Sequence, residues 1–76
     1  MQSTYLSRDF VEGAFNITVN AYRTGSAHPW TIDVVTHKGD DRISPVWRDY
    51  HHSYPLLETA QQAGLAGGRL MISSLH

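Results

Sequence analysis

A chain of 76 residues, 41% of them hydrophobic, has room for one domain and buries only about 60–65% of the surface its unfolded form exposes. Six Lys and Arg against seven Asp and Glu give a formal charge of −1 with no block of like charge, so a generic electrostatic affinity for nucleic acid or an anionic membrane is not indicated. With no cysteine, the sequence excludes a disulfide framework, a cysteine zinc site and a thiol nucleophile, and it fits a reducing compartment.

The chain opens with MQSTYLSRDF, which lacks the basic start and apolar run of a signal peptide, and no stretch of 18 apolar residues follows anywhere. These features predict a soluble, cytoplasmic protein with no membrane association. Tyr5, Leu6, Phe10 and Val11 show no clear period, so residues 1–13 read as a partly ordered N-terminal arm and residues 14–76 as the single small domain.

Residues 14–23, AFNITVNAYR, alternate cleanly: Phe15, Ile17, Val19 and Ala21 lie on one face and Asn16, Thr18, Asn20 and Tyr22 on the other. This is the pattern of a half-buried strand. TGSA at 24–27 supplies turn chemistry, and WTIDVVTH at 30–37 alternates again, with Trp30, Ile32 and Val34 facing one way. The two strands form an antiparallel hairpin. KGDD at 38–41 marks a second turn, and RISPVWRDY at 42–50 gives a poorer third strand, confined to an edge or bulged because Pro45 cannot donate to the ladder.

From Ser53 the period changes. Ser53 fits an N-cap, Pro55 a first helical turn, Glu58 the positive end of the helix dipole and Arg69 the negative end. At about 100° per residue, Leu56, Ala60, Ala63, Gly64, Gly67, Leu70 and Met71 fall on one stripe. The fold class is therefore α+β, a three-stranded antiparallel meander packed on one C-terminal helix (β-β-β-α).

Three glycines, Gly64, Gly67 and Gly68, sit inside this helix, where each costs about 1 kcal/mol against alanine. A nearly bare helix face allows close packing on the sheet and leaves room for Phe15, Trp30 and Trp47, whose burial offsets that cost. In a competing version the helix stops at Gly67–Gly68 and residues 69–75 form a final strand. The continuous helix is preferred because Leu70 and Met71 extend the stripe. Leu65 and Ile72 then fall on the opposite side, and with Gly68 between them they read either as a homodimer seam or as a contact for the N-terminal arm.

No motif orders the potential catalytic groups. GxSxG, HExxH and a phosphate-binding glycine loop are all absent, and the reading is of a non-enzymatic chain without cofactor. His51 and His52 are adjacent, so a metal site there would need Asp49, His37 or His28 to converge on one of them; solvated histidines are the preferred reading. The polar sheet face, with Tyr22 on it and Arg23, Arg42 and Arg48 near its rims, offers an alternative as a nucleic-acid surface. Asn16-Ile17-Thr18 matches a glycosylation acceptor but lies mid-strand.

FNITVNAY (15–22), WTIDVV (30–35) and SYPLLETAQQAGLAGGRLMI (53–72) together resemble a group of short bacterial proteins in which an antiparallel hairpin or meander precedes one C-terminal helix with a small-residue centre. That resemblance implies the fold and no activity. The function read from the residues is a protein-interaction or regulatory module with an unidentified protein partner, forming a homodimer through the C-terminal helix.

Overall fold

The computed structural model describes residues 3–43, 46–49 and 52–74. It is an α+β fold, an antiparallel sheet covered on one face by one helix. The strands are β1 (Ser3–Glu12), β2 (Phe15–Thr24), β3 (Thr31–Lys38), β4 (Asp41–Arg42) and β5 (Trp47–Arg48), and the helix is α1 (Leu57–Ser73). Sheet order is β1-β2-β3-β4, with β5 also pairing on β3.

Residues 1–13 do not behave as an arm. Ser3–Glu12 is a full strand, paired one to one with β2 from Ser3↔Thr24 to Glu12↔Phe15. The two-residue turn Gly13-Ala14 closes this hairpin, with Gly13 at φ 60° and Ala14, like every described non-glycine residue, outside the left-handed region. Positive φ at the first turn position alone is the signature of a type II′ turn, whose twist matches that of the strands it joins. Gly39, at φ 62°, repeats the device between β3 and β4. The strand predicted over 42–50 is two short pieces, β4 and β5, paired at different positions along β3; Pro45 lies outside the described residues.

Alternation on β2 and β3 sets the core. Ile17, Val19, Ala21, Ile32 and Val34 are completely buried, joined by Trp30 and, from the helix, Ala60, Leu65 and Ile72. The helix runs without a break through Gly67 and Gly68 to Ser73, so the competing strand over 69–75 does not form. Its start differs from the sequence reading. Leu56, in extended conformation, is the N-cap and offers no side-chain cap, while Ser53 lies well before it. Tyr54 explains this: its backbone exchanges hydrogen bonds with Trp30, N–H to O at 2.9 Å and 2.6 Å, which holds the chain extended up to that point.

The buried stripe of α1 also differs. Ala60, Gly64, Leu65, Gly68 and Ile72 face the sheet, whereas Leu70 is 71% exposed and Leu56 also points to solvent. On a helical wheel this is roughly a quarter turn from the predicted stripe. The reason is contact distance. A Cβ built on Gly64 would meet Val19 Cγ2 at 2.8 Å, and one on Gly68 would meet Ile17 Cγ1 and Cδ1 at 3.0 Å, so these two glycines, four residues apart, lie directly over β2. Gly67 makes room for a ring as expected, with Trp47 Cζ3 at 2.9 Å from the site its Cβ would take.

No helix among the described residues is long and apolar enough to cross a membrane.

Candidate binding face on the open side of the sheet

Because neighbours across an antiparallel ladder share a face, the side of the sheet away from α1 can be read in rows. Tyr5, Tyr22 and Thr31 form one row; Ser7, Asn20, Asp33 and Arg48 the next; Asp9, Thr18 and Val35 the third; Val11, Asn16, His37 and Arg42 the last. The middle rows are locked by short hydrogen bonds. Ser7 Oγ donates to Asn20 Oδ1 at 2.7 Å, Asn20 Nδ2 donates to Asp33 Oδ1 at 2.6 Å, and Thr18 Oγ1 donates to Asp9 Oδ1 at 2.6 Å. At Asp33 and Asp9 the charged acceptors make the bonds shorter and stronger than neutral pairs, and with the Ser7–Asn20 bond they form a stiff platform.

The aromatic row is where the platform offers something to a partner. Tyr5 and Tyr22 lie side by side, ring centroids 6.4 Å apart and planes 16° from parallel, and Tyr5 is 62% exposed. With Ser3, Asp33 and Arg48 they line a shallow open depression of about 520 Å³. A second depression of about 330 Å³, bounded by Asp9, Asn16, Thr18 and His37, lies toward the other end of the face.

Of the residues singled out for a nucleic-acid surface, Tyr22 and Arg48 meet at the first depression. Arg42 lies opposite His37 on the last row, away from them. Arg23 is on the other face altogether. Its guanidinium lies 4.4 Å from the Trp30 ring centroid on the helix side, as its position in phase with Phe15, Ile17, Val19 and Ala21 requires. The proposed helix seam is corrected more sharply. Leu65 is 8% exposed, Ile72 9%, and Gly68 is pressed on Ile17, so all three belong to the chain's own core and present no outward seam.

The sequence alone does not single out Tyr5, because residues 1–13 show no clear period. The signal was present in Glu12-Gly13-Ala14-Phe15, a Gly-X pair of the type that closes two-residue hairpins, directly before the clear alternation of β2.

Comparison of the chain with family models, curated proteins and solved structures finds no match. Its chemistry must be read from its own geometry.

Among the histidines, His52 does meet an acid. Asp49, 7% exposed, accepts hydrogen bonds through Oδ1 from the His52 backbone N–H at 3.1 Å, with His52 Nδ1 2.9 Å away, and through Oδ2 from the Tyr54 hydroxyl at 2.9 Å. His51 lies outside the described residues. Among those described, no three of His, Cys, Asp and Glu are grouped to hold a metal ion. The Asp49 cluster instead fastens the approach to the helix onto β3, where the Asp49 N–H also bonds Ile32 O at 3.2 Å. Burial, and then the hydrogen bond to Asp49, raise the Tyr54 phenol above its ordinary pKa of 10.0. A raised folded-state pKa means stability that is fully present below about pH 10 and lost as pH rises through the folded value. Tyr54→Phe should therefore lower stability by about 1.5–3 kcal/mol near neutrality, the range for a hydrogen bond to a charged acceptor. The gap to wild type should narrow above pH 10, read by urea unfolding at each pH.

Proposed function

We infer that this chain is a small non-enzymatic module that binds a protein partner through the open face of its sheet, with Tyr5, Tyr22 and Arg48 as the central contacts. The observation that carries this reading is the near-parallel tyrosine pair, Tyr5 exposed and Tyr22 half-buried, beside Arg48 on a platform stiffened by short hydrogen bonds. Tyrosine and arginine are the residue types that concentrate binding energy at protein interfaces, where stiff neighbours lower the entropy lost on docking. A flat face with shallow depressions suits such a contact better than the enclosed cleft that small-molecule chemistry needs.

Nucleic acid is the second reading, favoured by Tyr5 and Tyr22 as a stacking pair. Against it, Asp9 and Asp33 lie within the same face, and of the arginines near it Arg23 is turned away. A phosphate backbone would meet mixed charge here rather than a basic track. The absence of cysteine supports a cytoplasmic setting.

The test is direct binding of a candidate partner, first captured from the source cell and then purified, measured by calorimetry against wild type, Tyr22→Ala and Arg48→Ala. Each substitution is expected to weaken binding by tenfold or more, about 1.4 kcal/mol or above, while the domain stays folded. Affinity should vary little with salt. Tight binding of a single-stranded oligonucleotide that falls steeply with salt and is lost in Arg48→Ala would replace the protein reading with the nucleic-acid one.

A further inference from the structure

Strand β1 is an edge, and its free side lacks the bulge, the proline and the covering strand that usually guard one. Its ten residues pair with β2 without a bulge, contain no proline, and have no strand on the other side among those described. Its three charges, which would ordinarily repel an incoming strand, each engage a group of the same chain, with Arg8 and Asp9 still exposed. The Arg8 guanidinium lies 4.7 Å from the Phe10 ring centroid, Asp9 accepts from Thr18, and Glu12 pairs with Arg69 Nε of the helix at 2.9 Å. Apolar side chains are exposed too: Val11 is 76% exposed, and Leu6 and Tyr5 are open to solvent.

We propose that β1 pairs antiparallel with β1 of a second copy, joining two sheets into one about a two-fold axis through Ser7. The register follows from the hairpin and from charge. The two-residue turn makes Glu12–Phe15 a hydrogen-bonded pair, and alternation then directs the N–H and C=O groups of Ser3, Tyr5, Ser7, Asp9 and Val11 outward. An axis at Arg8 would set arginine against arginine, and one at Asp9 aspartate against aspartate. An axis at Ser7 opposes no like charges and pairs residues 3–11 with 3–11, a longer overlap than axes at Leu6 or Phe10, which also avoid like charges, would give. It places the small Ser7 side chains at the centre, Leu6 against the aliphatic stem of the other copy's Arg8, and Tyr5 against the other copy's Asp9. It also makes the two open faces continuous. This inference shares Tyr5 with the partner-binding reading but turns on the backbone edge of β1, not on Tyr22 or Arg48.

Light scattering at micromolar concentration should give twice the 8.5 kDa chain mass. Ser7→Pro removes an N–H that β2 does not use, at a position where an edge strand tolerates proline, so it should yield a folded monomer. Because the chain has no cysteine, single cysteines map the register. Ser7→Cys should oxidise rapidly to a linked dimer, since residues facing in a hydrogen-bonded pair lie at about 5.5 Å, within disulfide reach. Val11→Cys should not, because its two copies would be roughly 26 Å apart along the strands. A monomeric wild type, a folded but still dimeric Ser7→Pro, or cross-linking of Val11→Cys as fast as Ser7→Cys would each overturn the proposal. Tyr22→Ala and Arg48→Ala should remain dimeric, which keeps this test separate from that of the binding face.

Discussion

A chain carrying Leu65→Glu and Ile72→Glu together is expected to be unfolded at neutral pH and room temperature. Both side chains are less than a tenth exposed and lie in one core cluster with Ile17, Val19, Ile32 and Val34. Each replacement forfeits about 1.5–3 kcal/mol of apolar burial and forces a carboxylate into the space vacated, which costs several kcal/mol more unless it is protonated or the helix undocks. At 0.05–0.15 kcal/mol per residue, a chain of this length has roughly 4–11 kcal/mol in total, so the pair exceeds the lower part of that range and reaches the upper. Circular dichroism and one-dimensional NMR settle it: loss of helix signal and of dispersed methyl peaks is the expected result. A folded double variant would mean that these residues face outward, as the sequence alone suggested.

The three helix glycines should part company when replaced by alanine. Gly64→Ala and Gly68→Ala each gain about 1 kcal/mol of helix propensity, yet each introduces a methyl group into space held by a fully buried β-branched side chain of β2. Overpacking of this kind costs about 1–3 kcal/mol. Val19 has little freedom to yield, because its own Cβ as well as its methyl groups lies within 3.2 Å of the new atom. A net loss of up to about 2 kcal/mol is expected at each site. At Gly67 the atom met is the outer edge of the Trp47 ring, on a residue exposed to solvent and able to swing aside. Gly67→Ala should therefore be neutral or slightly stabilising. Urea midpoints for the three single variants give the comparison, and equal effects at all three positions would refute the account of how α1 sits on β2.

The legible parts of this fold are those where one face is wet and the other dry. Residues on β2 and β3 alternate because α1 covers one side of both, and their phase even places Arg23 away from Tyr22. β1 lies at the margin of the helix, which reaches it through polar contacts such as Arg69 to Glu12 and Arg8 to Gln61. With little apolar burial to impose a period, Leu6, Arg8 and Phe10 read as irregular, and the strand, with Tyr5 on it, stayed hidden. The helix posed a different problem. Leu56 and Leu70 mark one stripe, Leu65 and Ile72 another about half a turn away, and hydropathy barely distinguishes them. What decides between them is which glycines must touch β2, a distance that composition does not encode. At the candidate face, Tyr22 and Arg48 were recoverable from strand phase, whereas their meeting with Tyr5 depends on a hairpin whose only announcement is Gly13-Ala14.

The glycines also bear on how the chain reaches its native state. A 17-residue helix with three of them and no side-chain N-cap has little reason to form alone in water, where even alanine-rich segments of that length are marginal. The meander, built from two tight turns and short-range pairing, can begin to assemble first, but its apolar face stays uncovered until α1 condenses on it. Helix and core must therefore appear and vanish together. Far-ultraviolet ellipticity and the fluorescence of the buried Trp30 should trace the same melting curve, and the domain should behave as a single cooperative unit rather than as a sheet with a separately melting helix.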